Sequence, residues 1–298
     1  MSVNALPKPS IGPIRNAVAS VGALIIYALI RLFGRRVRPS EVPWLLGPLG
    51  GDHIGDQPYE EYAAERGLEV VRNASEGGLV PDFDVLAGPS FDPRQVSPAV
   101  RDFYEHTAAH RMDVWAKTFF PANVALWLLV TTISRKVDQL NFPVDTFDTA
   151  SGMDSEIVLL RDREGVVRCT GWFRRLVEDG RVLYTGFYTT EAIPGHTAPC
   201  VKVTFPMPRG NATVILRPEV APDGALILDS NGPGFGGVGF YRVQRFGSND
   251  ALTVWKIRSL KERFRVFVDA EGILRCDHAI RFLGLPVLQL HYRIQRKA

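Results

Sequence analysis

Cysteine is scarce in this sequence: Cys169, Cys200 and Cys276 stand far apart among 298 residues, with no CxxC spacing. An odd, scattered set argues against a disulfide framework and against a cysteine-only zinc site, and it fits a reducing cytoplasm. A strong charge bias is missing too. The net charge is +3, and residues 1–40 alone contribute +6 through Lys8, Arg15, Arg31, Arg35, Arg36 and Arg38. The remainder is mildly acidic, so no basic field of nucleic-acid size is left. GxxxxGK[ST], HExxH and GxSxG do not occur. A GxGxxG spacing does, at Gly232, Gly234 and Gly237, but "GFYRVQRF" after it reads as a strand and Pro233 removes a donor. The motif needs a helix there to present amides to a pyrophosphate, so it reads as a loop between strands and no cofactor is expected.

Long apolar runs are short of a membrane span. The first, "NAVASVGALIIYALI" between Arg15 and Arg31, has 15 uncharged residues, and the second, Thr118 to Ser134, has 17. A spanning helix needs roughly 20. The arginines that follow the first run exclude a small-residue cleavage site. A helix docked on the body, or lying on a membrane surface through residues 14–38, is the expectation.

What is present is a change of period. Helical patterning covers about 58–66, ended by Gly67, then about 97–117 and about 122–137, with proline-punctuated loops between. The stretch "NFPVDTFDTASGMDSE", 141–156, breaks it. Beyond, alternation of apolar and polar residues marks strands at 156–161, 166–176, 181–192, 200–206, 211–218, 224–230, 238–246, 252–259, 263–269, 273–282 and 287–295. Hardly any helix separates them, so the expected fold is mainly β (α+β): an antiparallel barrel of about ten strands, lipocalin- or calycin-like, behind a helical N-terminal section. Closure is expected because so many consecutive strands otherwise leave exposed edges. The divisions are 1–40, 41–148 and 149–298. Within the barrel, a two-residue turn at Asp179-Gly180 sets Gly171 opposite Tyr188 and Gly186 opposite Phe173, rings covering glycines at a corner.

Candidate chemistry comes from two places. On a helix over 97–117, His106, His110, Asp113 and Lys117 fall on one stripe and Tyr104 on another side. The stripe is a solvated face, a metal site using His106 and His110, or the border of a cavity. In the last strands His278 and Tyr292 sit on the apolar, inward side, where polar tips orient a ligand. Arg258, Arg263, Arg265, Arg275, Arg281 and Arg293 take the opposite, solvent side. Asp82 and Asp84, and Asp145 and Asp148, read as turn and cap residues.

The segments "FYEHT" (103–107), "SRKVDQLNFP" (134–143), "SGMDSE" (151–156), "PGHTAPCVKVTFPMPRGNATVILRPEV" (194–220) and "LHYRI" (290–294) together resemble a bacterial protein family of uncharacterised function. That resemblance brings no catalytic residues. In architecture alone, the chain resembles the stand-alone β-barrel cyclases of polyketide pathways, the spiroketal cyclases and Diels–Alderases. The expectation is a cytoplasmic, cofactor-free cyclase or isomerase of a hydrophobic small molecule, with no nucleic-acid partner. Tyr104, His106, Asp113, His278 and Tyr292 are its candidate acid/base and orienting groups. Two alternatives stay open: a non-enzymatic lipid or hydrophobic-ligand binder in contact with a membrane, and a metal-dependent hydrolase built on His106 and His110.

Overall fold

The computed structural model describes residues 13–51, 54–120, 139, 153–177, 180, 182–247 and 251–297, with side chains from Ser20 onward. Among them are helices α1 (Pro13–Phe33), α2 (Gln57–Arg66) and α3 (Pro98–Glu105). Strands from the first third of the chain are β1 (Arg35–Val37), β2 (Glu69–Val71) and β3 (His110–Thr118). Then follow β4 (Met153–Arg161), β5 (Val167–Leu176), β6 (Val182–Glu191), β7 (Cys200–Met207), β8 (Gly210–Val220) and β9 (Leu226–Asp229). The last are β10 (Gly239–Arg245), β11 (Leu252–Lys256), β12 (Leu260–Val268), β13 (Leu274–Phe282) and β14 (Leu285–Arg296). The eleven strands read from alternation all occur, each within three residues of its expected ends.

All fourteen join one antiparallel sheet with the path β2-β4-β5-β6-β7-β8-β9-β12-β13-β14-β3. Strand β8 is the branch point. Its Gly210–Ile215 half pairs with β10, which leads to β11 and β1, whereas Arg217–Val220 pairs with β9. No pairing between described residues closes the sheet into a ring. Its two sides nevertheless curl together, since Met153 of β4 packs on Val114 of β3 and on Leu288 and Leu290 of β14.

Three sequence expectations need correction. Helix α3 stops at Glu105, and His110–Thr118 is strand β3 in the sheet beside β14. The stretch alternates His110, Met112, Val114, Ala116 against Arg111, Asp113, Trp115, Lys117, and the first set faces the core. The helical stripe of His106, His110, Asp113 and Lys117 therefore does not exist. Second, β5 and β6 pair Gly171 with Phe187 and Trp172 with Gly186, one residue from the expected register. The Gly180 N–H bonds back to the Leu176 carbonyl and a bulge lies between Arg174 and Arg175, so the connection is wider than a two-residue turn. Third, β1, β2 and β3 place parts of residues 1–148 in the same sheet as the C-terminal strands. The expected helix at 122–137, residues Asp145, Asp148 and Asp179, and most of the 141–156 break lie outside the described residues.

The outer face of the sheet is covered in several places. On the outside, Tyr59 and Ala63 of α2 pack on Val158, Leu160, Cys169, Phe173 and Phe187. Glycine 171 is indeed covered by a ring, but that ring is Tyr59, reaching over from α2: a Cβ there would lie 2.3 Å from its Cε1. Farther along, Val42 and Leu45 pack on Ile215, Tyr241, Val243, Leu252 and Val254. The buried Lys202 ammonium donates to the carbonyls of Trp44 and Leu46, at 3.2 and 2.9 Å, and to Glu191, at 2.6 Å, which pins that segment down. Helix α1 ends on β11, with Phe33 stacked on Trp255 and Tyr27 edge-on to Phe246.

Replacing Gly171 by alanine drives a methyl into the Tyr59 ring. Chemical denaturation is expected to show a loss of about 1–3 kcal/mol, the usual penalty of overpacking, and the added change Tyr59→Leu should recover part of it. Wild-type stability for Gly171→Ala would show that the ring does not sit there.

Candidate functional site

One end of the concave face of the sheet is filled by the chain itself. The filled end is closed by the segment that runs from Leu79 through α3. Phe83, Leu86, Phe91, Val100, Phe103 and Tyr104 pack there on Leu216, Leu226, Val266, Leu274 and Ile294 of the strands. Its seat depends on Gly78, where a Cβ would fall 2.1 Å from the Glu105 carbonyl oxygen. The Val80 N–H donates to the Tyr104 carbonyl at 3.0 Å, and the Ala108 N–H to the Gly77 carbonyl at 2.8 Å.

The opposite end has a different lining. Tyr184, Tyr188, Phe205, Phe264 and Tyr292 pack against this core, yet each is only partly buried. Burial nevertheless pushes the phenols of Tyr184, Tyr188 and Tyr292 above their ordinary range. Trp172 stands among them, edge-on to Tyr184 and Tyr188, with its indole N–H on the Ser155 hydroxyl at 2.6 Å. Glycine 186 faces the same way, where a Cβ would meet Phe205, Tyr184 and Tyr188 at ordinary contact distance.

Two polar features interrupt this apolar lining. Arg174, alternating with Trp172 along β5, is buried with its guanidinium 5.0 Å from the Trp172 ring and 5.7 and 5.8 Å from those of Tyr184 and Tyr292. The second is a pair. His278 Nε2 lies 2.6 Å from Glu262 Oε1, and the imidazole is stacked on Phe264 at 3.8 Å between centroids. The other carboxylate oxygen, Glu262 Oε2, is buried without a hydrogen-bond partner. A buried carboxylate oxygen without a donor is costly and is the exception in a folded chain, which singles Glu262 out.

The five residues singled out in the sequence separate accordingly. His278 and Tyr292 face the concave side, as read from the alternation. Tyr104 is inside as well, but it belongs to the filled end, against Phe83 and Phe103. His106 caps α3, with Nδ1 3.1 Å from Asp102, and His110 binds the same carboxylate at 3.5 Å and the His106 carbonyl through Nδ1 at 2.9 Å. Arg296 also reaches Asp102, at 3.4 Å. These residues form a hydrogen-bonded cap outside the hollow. Asp113 is exposed on the outer face of β3. No group of three or more His, Cys, Asp or Glu side chains arranged to hold a metal occurs among the described residues.

No protein-family model matches the chain, and neither does any curated protein or solved structure. Roles for its residues are therefore argued from geometry alone. Sequence reading missed Arg174 and Glu262, although both left a signal. In "GWFRRL" two adjacent arginines on a strand must point to opposite faces, so one of them turns inward. In "LKERFRVFV" Glu262 shares its face with Leu260, Phe264 and Val266. The expected solvent side is confirmed for the arginines paired outward, Arg263 with Asp229 and Arg265 with Asp223.

The glycine loop 232–237 is no phosphate cradle. Its carbonyls, not its amides, converge: Lys256 Nζ donates to Gly232, Gly234 and Val238 at 2.8, 2.6 and 2.7 Å. A surface cleft of about 400 Å³ lies beside it, where β9 and β10 diverge. Lys256→Met leaves three carbonyls without a donor. Amide exchange over residues 232–238 should accelerate by at least tenfold, with about 3 kcal/mol lost from unfolding; unchanged protection would remove Lys256 as the loop's organiser.

Proposed function

We propose that the chain is a cofactor-independent isomerase or cyclase that takes a hydrophobic small molecule into the open half of a lipocalin-like cup. The observation that carries this reading is the set of deep, partly uncovered rings enclosing a Glu262–His278 pair whose second carboxylate oxygen is unbonded. Aromatic walls hold a flexible substrate in a reactive shape, and restriction of this kind supplies much of the rate of a unimolecular rearrangement. Glu262 acts as the base toward a proton α to a carbonyl, with His278 positioning the carboxylate, and Tyr292 or Tyr188 donates toward the carbonyl oxygen. Ketone-rich, polyketide-type molecules of specialised metabolism supply both the apolar surface and the acidic C–H.

Native mass spectrometry of freshly purified protein is expected to reveal a retained small molecule. In D2O the wild type should exchange deuterium into it, and Glu262→Gln should slow that exchange by about 10²–10⁴-fold. Gly186→Leu, which projects a side chain among the rings, should reduce retention without lowering the melting temperature by more than a few degrees. A chain that retains nothing, binds no neutral hydrophobic dye such as Nile red, and ignores Gly186→Leu would end the proposal.

A second reading concerns where this chemistry takes place, and helix α1 favours it. No described helix is long and apolar enough to cross a membrane. With Ile30 buried against the body, α1 still leaves Val21, Leu24, Ile25, Ala28 and Leu32 exposed along one stripe. Arg31, Arg35 and Arg36 stand exposed at its end, the first two over the rings of Phe246 and Phe235. An apolar stripe bordered by cations fits the surface of an anionic bilayer. Flotation with vesicles containing 30% phosphatidylserine should carry the protein, and the double change Leu24→Asp, Ile25→Asp should leave it in solution. Absence of flotation in the wild type would dismiss the surface role and leave the cup untouched.

A further inference from the structure

Four cations are buried among the described residues, and three of them are held by oxygen. Lys202 has two carbonyls and Glu191, Lys256 has three carbonyls, and Arg242 donates to the carbonyls of Asn211 and Val243 at 2.6 and 2.9 Å. Arg174 is the exception. It is only 2% exposed, and among the described residues no carboxylate lies within ion-pairing distance of it. Its contacts are the Tyr184 hydroxyl and the Met153 sulfur, both at 3.5 Å, and three ring faces, while its Nε is buried with no partner. A guanidinium offers five N–H donors in a planar fork, and a buried one without acceptors is costly. Ring faces offset part of that cost but accept no strong hydrogen bond.

The surroundings show where the missing acceptor belongs. Arg174 shares its face with Trp172, so its head lies among Trp172, Tyr184 and Tyr292 on the concave side of the sheet. A cleft of about 420 Å³ bounded by Met153, Leu176 and the Arg175–Asp154 ion pair lies at the rim beside it. Arg175 is already neutralised by Asp154 at 2.6 Å, which leaves Arg174 as the charge that faces inward.

We propose that Arg174 is a binding-site residue for the carboxylate, or an equivalent planar oxyanion, of an aromatic or polycyclic ligand whose rings stack in the cup. The inference rests on the cup reading above and adds the ligand's charge to it. A planar, bidentate acceptor matches the fork, and the aromatic walls select a flat apolar body attached to it.

Isothermal titration calorimetry with a matched probe pair tests this: naphthaleneacetate, which is anionic, and naphthaleneethanol, which is neutral and nearly the same shape. Wild type should bind the anion at least tenfold more tightly. Arg174→Met should erase that preference, bringing the two affinities within about twofold, while the alcohol still binds. Arg174→Lys keeps the charge without the fork and should retain only part of the preference; it serves where the methionine variant fails to fold. Equal affinity of wild type for the two probes, or a preference that survives Arg174→Met, overturns the proposal and leaves the cup standing. Binding of neither probe by wild type overturns the cup itself and this inference with it.

Discussion

The curved sheet of this protein stands because one of its ends is filled by its own chain. A sheet this strongly curled has a concave face too narrow for a second sheet and too apolar for water, so something must occupy it. The segment from Leu79 to Tyr104 does so with aromatic and branched side chains from three-residue and four-residue helical turns rather than from a long helix. Short turns let consecutive rings point into a tapering space, which a straight helix with one apolar stripe would not. The segment is tied at both ends: Leu79 N–H donates to the Thr107 hydroxyl, and Ser97 N–H to the Gly224 carbonyl at the β8–β9 turn. The filler occupies one end of the concave face, and partly buried rings line the rest of it among the described residues.

The far end of the concave face carries an unusual electrostatic character. Desolvation works against the charge of Arg174, and the surrounding phenols of Tyr184 and Tyr292 hold it on. The same cation and burial oppose one another at Tyr292, where burial dominates and keeps the phenol protonated. Among the described residues this end of the concave face therefore carries phenol hydroxyls, the Arg174 guanidinium and the Glu262 carboxylate paired with His278. Such a set stabilises negative charge developing on a substrate oxygen while leaving a base close by, in surroundings where water does not screen it. The outward arginines are different in kind: Arg263, Arg265 and Arg275 each meet an aspartate at the surface, where ion pairs add little to stability.

Much of this was legible in the sequence, for a definite reason. In β4 to β14 the chain alternates between a core face and an outer face, and a period of two is hard to mistake when both faces are sampled over ten residues. The inward placement of His278 and Tyr292 followed from it. The stretch "EHTAAHRMDVW" was not legible, because tertiary contacts decide it. His106 leaves the helical region with φ −133° and ψ 45°, the Thr107 hydroxyl bonds back to the Phe103 carbonyl, and Ala108 is captured by Gly77. The chain is then released as an edge strand onto β14, where Trp115 lies across from His291. Charges spaced at three and four residues imitated a helix, whereas the alternation of Met112, Val114 and Ala116 against Asp113, Trp115 and Lys117 was the pattern that tertiary pairing used. Arg174 and Glu262 were illegible for a related reason: charged residues on an apolar face look like register errors until the strand pairing is known.

The ladder between β6 and β7 stops short of its full length. Strands β6 and β7 are hydrogen-bonded from Phe187 opposite Thr204 up to Glu191 opposite Cys200, and no farther toward Thr185 and Pro206. Proline at 206 has no N–H to give a neighbour, which suits it to the point where a ladder ends. The gap does not go unfilled. Gln139 inserts its side-chain amide there, accepting from the Thr185 N–H at 2.8 Å and donating to the Thr185 and Pro206 carbonyls at 3.0 and 3.2 Å. On the outer side the Thr185 hydroxyl is taken by the Gly55 carbonyl and the Gly186 carbonyl by Tyr59. One primary amide thus replaces a rung of the ladder and holds two strands apart without leaving their polar groups bare. The separation falls at the level of Tyr184, whose ring covers the Arg174 guanidinium. Tyr184 and Phe205 meet edge to face across Gly186, with ring centroids 5.7 Å apart, so a ring contact spans the level at which the ladder stops.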